Sequence, residues 1–397
     1  MRKVILAVFI LVFLTSCWDL VEIEQLGFVL AVALDPLSEE ELDQYKKQFQ
    51  KETGEAIDHL HKTTYQVVIP STIVAEGGGL EPEPFFNIAT IGRTNFKMNR
   101  HIASRRSRKL NYEHLKVIIL NENLVKSGEI GKLIDFYIRD HEMRRNTVML
   151  ISKGCASDVI ANKLPLELMP AISIDMIHEN YGVHPGMPSP KPIGDLVTSV
   201  LNEKSYIVPR VTAKKGKDFV ITGAGVFLGK TNELVGWLGE IDIIGYNLIH
   251  SESQNMVIEV SVDDQLFNYE IDNEDAVITY ERKDGRDYFQ LNIKTEGFFV
   301  ESWLENVELG NEQTNKMLSE AIAKQIERVA TDVILKMQRE FHADIFNFHS
   351  YVKRKEYQYW KQIKDEWDGE GGFFSKSIIE VDAEIKIRHH MTQEEMT

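Results

Sequence analysis

Cysteine is nearly absent from this sequence, whose 397 residues include only two, Cys17 and Cys155. Two cysteines can form at most one disulfide bond, so a disulfide framework for the fold is excluded. If Cys17 is modified, as argued below, Cys155 has no disulfide partner. Cys155 lies in an apolar-flanked stretch, and we expect it to be a small buried hydrophobic residue rather than a reactive thiol.

The chain also lacks an excess of positive charge. Its 61 Asp and Glu residues outnumber its 45 Lys and Arg residues, which gives a formal net charge of −16. Proteins that bind nucleic acid present basic surfaces to the phosphates, so we expect no nucleic-acid partner. The hydrophobic fraction of 43% in a chain of this length is enough for two or three globular domains.

Long apolar runs are confined to the first residues. Met1–Ser16 starts with two basic residues and continues with an apolar run, Val4–Leu14, which is typical of an export signal. The run is shorter than the roughly 20 residues that a membrane-spanning helix needs. Because it ends in Leu14-Thr15-Ser16-Cys17, it resembles a bacterial lipobox, in which the cysteine thiol takes a diacylglycerol and the signal is cut just before it.

We therefore predict a lipoprotein signal peptide at residues 1–16, lipid attachment at Cys17 and a lipidated tether at residues 17–25. Two or three acyl chains anchor a protein stably, whereas one chain binds only marginally. The alternative is an ordinary secretory signal followed by a chance cysteine. The extended stretch from Trp18 to Glu24 reaches at most about 25 Å, so the first domain is expected close to the lipid headgroups.

Residues 26–205 are predicted to form an N-terminal α/β region of one or two subdomains, because strand and helix patterns alternate along it. A charged insertion, residues 38–61, contains a capping box, Ser38 with Glu41, that predicts the start of a solvent-exposed helix. The Pro/Gly-rich segment Gly182–Pro192 predicts a boundary or a mobile loop. The strands predicted here include Thr64–Ile69, Leu115–Leu120 and Val148–Ser152, and the helices include Ile88–Ser107, Gly131–His141 and Ala156–Leu164.

A basic cluster stands at the end of the predicted helix Ile88–Ser107. One interpretation is a solvated helix face with local acidic partners. The other is contact with anionic lipid headgroups or with an acidic face of a partner protein, since each cation near a membrane surface contributes about 1 kcal/mol. The members of the cluster are Arg100, Arg105, Arg106, Arg108 and Lys109.

Residues 206–397 are predicted to form a C-terminal α+β domain. Several strands come first, and a long helix is predicted over Glu312–Phe341 because its apolar residues recur at intervals of three and four. That helix must cover a sheet, which we expect to be mainly antiparallel. A second helix, Phe346–Trp367, and a returning strand, Ser377–Arg388, end the domain. The predicted fold class is thus α/β and α+β, a multi-domain chain of mixed sheets and packed helices.

Motifs spread along almost the whole chain together resemble one known family, the Ger(x)C proteins, which are the C-subunit lipoproteins of spore nutrient-germinant receptors. The similarity covers the start of the mature chain, the first domain, the opening of the second domain and its closing helices. The stretches that carry it are Cys17–Gly27, Asn111–Ile119, Asp135–Arg145, Gly223–Phe227, Leu234–Leu238 and Ala343–Phe346, with Trp360 and Trp367.

The resemblance implies a non-catalytic subunit, without a cofactor, on the outer face of the inner spore membrane. It implies two membrane-embedded partners, an integral-membrane A subunit and a transporter-like B subunit. The receptor responds to small nutrients and triggers germination. The resemblance leaves assembly, signal relay and direct nutrient contact all open as roles for the C subunit.

Residues suited to chemistry are sparse. His59 with His61, and His389 with His390, lack Cys or carboxylate ligands at a recognised spacing, so no metal site is expected. Gly223-Ala224-Gly225 lacks the third glycine of a dinucleotide site and predicts a closely packed strand. No hydrolase motif appears, and no catalytic residue is assigned.

An alternative function is a solute-binding lipoprotein that delivers a small nutrient to a membrane transporter. Such a protein needs two similar α/β lobes around a ligand cleft, and the predicted halves are unlike. An envelope hydrolase would need an acid, a base or a nucleophile that converge in one cleft.

Overall fold

A computed structural model describes residues 25–69, 84–162, 166–214, 218–304 and 311–388. Two mixed sheets with packed helices make up this part of the chain, so the predicted fold class is confirmed. Each described helix is too short or too polar to serve as a membrane span.

The first sheet has nine strands. They are β1 (Leu26–Pro36), β2 (His61–Val68), β3 (Phe85–Gly92), β4 (Lys109–Asn111), β5 (Val117–Asn121), β6 (Val148–Ser152), β7 (Tyr206–Lys214), β8 (Asp218–Phe227) and β9 (Leu234–Leu238). Their order is β3-β2-β1-β5-β6-β7-β8-β9, and β4 pairs with the start of β1. The central strands β1, β5, β6 and β7 are parallel, and the outer ones are antiparallel.

Helices cover both faces of this sheet, which explains why β5 and β6 are buried along their whole length and read as continuous apolar runs. The helices of this half are α1 (Glu39–Thr53), α2 (Asn95–Ile102), α3 (Glu122–Val125), α4 (Ile130–Arg139), α5 (Ala156–Ala161), α6 (Pro170–His178), a 3-10 turn at Glu179–Gly182 and α7 (Ile193–Leu201). One face of the sheet packs on α2, α3, α4 and α7, and the other on α5 and α6.

The charged insertion folds as its capping box predicts. The Ser38 hydroxyl accepts the Glu41 backbone N–H at 3.2 Å, and the Glu41 carboxylate accepts the Ser38 backbone N–H at 3.1 Å. Helix α1 follows and buries none of its residues. The helix is thus solvated, and Lys62 on β2 is paired with Glu41 at 2.9 Å.

The predicted helix Ile88–Ser107 is wrong in its first half. Phe85–Gly92 is the edge strand β3, which pairs antiparallel with β2. The helix begins only at Asn95, where the Thr94 hydroxyl accepts the Lys97 backbone N–H, and ends at Ile102. The segment forms a strand because its backbone pairs with β2 and Ile88 is buried in the sheet. These tertiary contacts outweigh the local helical pattern.

The Pro/Gly-rich segment Gly182–Pro192 is a packed connection, so the prediction of a mobile loop is wrong. Met187 is buried, and its carbonyl accepts a hydrogen bond from the Asn247 side chain at 3.2 Å. The Gly186 carbonyl accepts the Gly223 N–H at 2.9 Å. Because these bonds reach β8 and the helix that follows β9, the segment joins the two halves of the chain.

The first sheet continues beyond the expected boundary between residues 205 and 206. Strands β7, β8 and β9 extend it to Leu238. We therefore propose that the structural division between the two domains falls after Leu238. In this proposal, the change at Tyr206 from strands alternating with helices to strands in succession is not a domain boundary. It is the start of the strands β7, β8 and β9, which pair antiparallel at one side of the first sheet.

The second sheet is mainly antiparallel, as predicted. Its strands are β10 (Val257–Val262), β11 (Gln265–Lys283), β12 (Arg286–Ser302) and β13 (Ile378–Arg388), in the order β10-β11-β12-β13. The last strand returns to the sheet and pairs parallel with β12. Strands β11 and β12 form a long hairpin whose turn residues, Asp284 and Gly285, both have positive φ.

A long helix covers this sheet, which confirms the predicted element apart from its last turn. Helix α9 (Glu312–Lys336) is followed by a π turn, Met337–Phe341, and its apolar stripe is buried. The predicted helix Phe346–Trp367 is wrong as one element, because the backbone of Glu356 is not helical and breaks it. The remaining helices are α8 (Glu240–His250), α10 (Phe348–Lys355), α11 (Tyr357–Ile363), a 3-10 turn at Lys364–Glu366 and α12 (Phe373–Lys376).

Candidate functional site

Several predicted site residues lie outside the described part of the chain. They include Cys17, the signal peptide and the tether up to Glu24, so lipid attachment stays a prediction. His389 and His390 also lie outside it. The first described tether residue is Gln25, directly before β1.

Cys155 is exposed, so the expectation of a buried hydrophobic residue is wrong. It occupies the N-cap position of α5, where the chain turns out of β6, and this position faces solvent. Its Sγ atom lies 3.2 Å from the Ser157 hydroxyl. Partial burial raises the pKa of the Cys155 thiol, which keeps it protonated and weakly nucleophilic.

A large cleft with a volume of about 1070 Å³ lies at helices α2 and α4. Its described lining has five Lys and Arg side chains but only three carboxylates, and two of these are paired, Glu129 with Lys132 at 2.9 Å and Asp135 with Arg139 at 2.8 Å. Arg100 lies over the Phe96 ring at 5.1 Å. Such a positively charged cleft suits a small polar or anionic molecule, and its described lining holds no nucleophile beside a base.

The two histidines of the insertion line this cleft but have different partners. His61 is buried, its Nε2 lies 3.2 Å from the Asn95 Oδ1, and burial lowers its pKa. His59 is exposed and lies 3.6 Å from Glu129. Within the described residues, no group of three or more His, Cys, Asp or Glu side chains could hold a metal ion.

Asn95 fixes the geometry of the cleft, and the sequence analysis missed it. Its Oδ1 accepts from the Thr63 hydroxyl at 3.0 Å, and its Nδ2 donates to the Leu133 carbonyl at 2.8 Å. One buried amide thus joins β2, α2 and α4. The Thr94 N-cap signal could have located the start of this helix, but these partners are distant in sequence.

The basic cluster does not share a helix face. Arg100 lies on α2 in the cleft, whereas Arg105 and Arg106 lie in the turn after α2, and Lys109 begins β4. Arg105 donates to the Ala89 carbonyl at 3.0 Å, and Arg106 lies over the Phe86 ring at 5.3 Å. Among the described residues, no carboxylate is paired with Arg105, Arg106, Arg108 or Lys109, whereas Arg139 on α4 has such a partner. The interpretation with local acidic partners is therefore wrong for these four cations.

A buried carboxylate organises the segment after the π turn. Asp344 accepts the backbone N–H groups of Phe346, Phe348 and His349, the indole N–H of Trp367 at 2.9 Å and the His349 Nδ1 at 3.1 Å. Burial alone would raise the pKa of Asp344, but the hydrogen bonds from His349 and Trp367 lower it below its usual range. The motif Ala343–Phe346 thus has a structural explanation.

A second carboxylate links this segment to the first sheet. Asp368 accepts the Asp344 backbone N–H at 2.8 Å and the Ser205 hydroxyl at 2.6 Å. The Ser205 oxygen in turn accepts the Gly229 N–H at 3.0 Å. Burial, with the charge of Asp344 nearby, raises the pKa of Asp368 to about 6.

The prediction of a closely packed strand at Gly223-Ala224-Gly225 is confirmed. These residues lie in β8, and Gly223 has a φ of +70°. A Cβ atom on Gly223 would lie 2.4 Å from the Leu238 carbonyl oxygen on β9. The glycines therefore allow close strand contact, and the segment does not open a helix as a dinucleotide site does.

Comparison with known proteins agrees with this arrangement over nearly the whole chain. Residues 19–213 match the family described as "Spore germination protein N-terminal domain" and residues 222–391 match "Spore germination B3/ GerAC like, C-terminal". Spore germination protein B3 of Bacillus subtilis (strain 168) is 26% identical over 381 residues, which cover 96% of this chain and 95% of that protein. Spore germination protein A3 of the same organism is 26% identical over 400 residues, 99% of each chain.

A solved structure supports the fold. The crystal structure of the GerBC protein matches 84% of this chain and 96% of its own, with a TM-score of 0.60 and 22% sequence identity. Both domain families are matched in the expected order, and the relatives are covered almost from end to end. The chain therefore belongs to the GerAC, or Ger(x)C, family of spore germination proteins.

Proposed function

We propose that this chain is a lipid-anchored, non-catalytic subunit of a spore nutrient-germinant receptor. In this proposal it acts with integral-membrane A and B subunits, assembles the receptor or relays its signal, and lies on the outer face of the inner spore membrane. The observation that carries the proposal is the match of both domain families to spore germination proteins along nearly the whole chain. The anchor is the predicted lipid on Cys17.

The arrangement of the described residues favours this proposal over a solute-binding lipoprotein. A solute-binding protein encloses its ligand between two similar lobes, whereas here a nine-stranded sheet is followed by a four-stranded one. The cleft of about 1070 Å³ lies within the first half, at α2 and α4, and not between two lobes. The interface between the halves is filled by a shared hydrophobic core instead.

The test is a pull-down from detergent-solubilised spore membranes with the wild type, Cys17→Ala and Cys155→Ala. The last variant is the matched control, because Cys155 is the only other cysteine of the chain. We expect the wild type and Cys155→Ala to bring down two multi-spanning partners, and Cys17→Ala to be lost from the membrane fraction.

Two results would contradict the proposal. If Cys17→Ala stays in the membrane and retains its partners, Cys17 is not the anchor. If the wild type is isolated alone and binds a small nutrient tightly in solution, the solute-binding function replaces the receptor-subunit function.

A further inference from the structure

The described start of the chain lies beside a group of exposed cations. Strand β1 begins at Leu26, and β4 pairs with it in parallel, so that Leu26 lies opposite Lys109. The tether therefore enters the first sheet next to the turn that carries Arg105 and Arg106. Arg105, Arg106 and Lys109 are exposed.

The neighbouring parallel strands add two more cations at the same edge. Val117 at the start of β5 lies opposite Ala31 of β1 and Val148 of β6. Arg144 and Arg145 directly precede β6, and both are exposed. Since parallel strands start at one edge of a sheet, these arginines lie on the edge where the tether enters. We name Arg105, Arg106, Arg108, Lys109, Arg144 and Arg145 the basic edge.

The basic edge is a local exception in an acidic protein. The net charge of the chain is −16, and among the described residues none of the six cations of the edge is paired with a carboxylate. The carboxylates nearest in sequence on this edge are Glu113, which is exposed, and Glu142, which accepts the Tyr112 backbone N–H at 3.1 Å. The edge therefore keeps a surplus of positive charge, because its six cations outnumber these two carboxylates and, within the described residues, none of the six forms an ion pair.

The geometry points to a membrane surface as the partner. The nine residues 17–25 reach about 30 Å at most, so an anchor at Cys17 holds this edge within that distance of the bilayer. An anionic bilayer attracts the basic edge and repels the acidic remainder of the chain. A small hollow of about 260 Å³, lined by Phe86, Ile88 and Leu110, opens beside Arg106. Cationic and apolar groups side by side are typical of surfaces that bind at the headgroup boundary.

We propose that the basic edge docks on anionic lipid headgroups and so fixes which side of the protein faces the membrane. This inference rests on the proposed anchored subunit, whose location it specifies. It assigns the opposite, carboxyl-end edge of the parallel strands to the side away from the bilayer.

The experiment is vesicle flotation of residues 17–397 with Cys17→Ser, which removes the lipid and keeps every described residue. The probes are phosphatidylcholine vesicles with and without phosphatidylglycerol, at low and high salt. We expect partitioning only into the anionic vesicles, and weaker partitioning at high salt because salt screens the charges.

The test variant is Arg105→Gln/Arg106→Gln/Lys109→Gln, and the matched control is Lys46→Gln/Lys47→Gln/Lys51→Gln on the exposed helix α1. Each cation near the surface contributes about 1 kcal/mol, or about fivefold in the partition coefficient, so the loss of three cations should lower the partition coefficient of the test variant about 100-fold. The partition coefficient of the control should change little. All six side chains are exposed, so we expect both variants to melt like the parent chain.

Three results would overturn the proposal. The first is equal binding to both kinds of vesicle, and the second is an equal loss in the test variant and the control. In the third, vesicle binding is absent but the test variant loses its membrane-protein partners in the pull-down, so the edge contacts an acidic protein. Because the vesicle chain carries no lipid, its result does not depend on whether Cys17 is the anchor, and the two proposals can fail separately.

Discussion

Glu274 on β11 offers a direct test of the electrostatics in the second domain. One of its carboxylate oxygens accepts the Ser253 backbone N–H at 3.1 Å and also the Ser253 hydroxyl. The other oxygen is buried without a hydrogen-bond partner among the described residues. Burial, which the Ser253 bonds only partly offset, and the nearby charge of Glu252 raise the pKa of Glu274 to about 7.

The raised pKa makes the stability of the fold depend on pH. The unfolded chain releases this proton near the ordinary value of 4.5, whereas the folded chain holds it until the pH approaches 7. Raising the pH through this interval removes a proton that only the folded state retained, so the contribution of Glu274 to stability is highest below pH 4.5 and falls until about pH 7. At 1.36 kcal/mol per pKa unit, the loss is about 3 kcal/mol.

The perturbation is Glu274→Gln, which keeps an oxygen to accept the Ser253 hydrogen bonds and removes the charge. The matched control is Asp275→Asn at the next residue, which is exposed. Free energies of unfolding are measured by urea denaturation at several pH values from below 4.5 to above 7. We expect Glu274→Gln to gain about 3 kcal/mol on the wild type across this range. Asp275→Asn should change the profile far less, because the Asp275 charge makes only the smallest of the contributions that raise the pKa of Glu274.

Parallel curves for Glu274→Gln and the wild type would refute the reasoning, because they would mean that Glu274 ionises in the fold as it does in the unfolded chain. A gain of the same size in Asp275→Asn would refute it too, since the effect would then reflect the overall acidic charge and not the burial of one carboxylate.

Three substitutions test the packing and the junction between the halves. Gly245→Ala places a Cβ atom 2.4 Å from the Val329 carbonyl oxygen, so we expect thermal unfolding to show a free energy of unfolding lower by about 1–3 kcal/mol. Its control is Gly131→Ala, where the nearest atom lies 3.9 Å from the new Cβ and the change should be neutral or stabilising. Ile326→Ala empties a fully buried site on α9 and should cost about 2–5 kcal/mol by the same measurement. Ser205→Ala removes the hydroxyl that donates to Asp368 and accepts the Gly229 N–H. We expect the free energy of unfolding in urea to fall by about 1–3 kcal/mol. An unchanged unfolding midpoint would show that this link contributes little to stability.

Elements with a strong local signal could be predicted from the sequence. The capping box at Ser38 and Glu41 marks the start of α1 because both hydrogen bonds form within one turn. The apolar run Val117–Leu120 belongs to strand β5, which is covered on both faces, so its pattern has no polar alternation. The stripe of α9 follows the helical period because one face of that helix packs on the second sheet and on α8.

Elements determined by distant partners could not be predicted. Strand β3 resembled a helix locally, and only its register with β2 decides its structure. Cys155 lies between two apolar stretches, but it occupies the exposed N-cap position of α5 at the surface. The Ser205–Asp368 hydrogen bond joins residues 163 positions apart, so no local sequence pattern predicts it. The basic edge is likewise visible only once the parallel register places β4, β1 and β6 at one edge.

The junction between the two halves would carry the proposed orientation at the membrane to the second domain. Ala224 and Val226 of the first sheet belong to the same hydrophobic core as Ile326 of α9. Ser205 and the packed segment around Met187 add hydrogen bonds across the same boundary. The shared hydrophobic core and the buried hydrogen bonds both resist motion of one half relative to the other. Separating the halves would expose apolar surface and leave buried carboxylates without hydrogen-bond donors. If the basic edge fixes the first sheet against the bilayer, the second domain is held at a defined height above it, where it would meet the proposed membrane subunits from one direction.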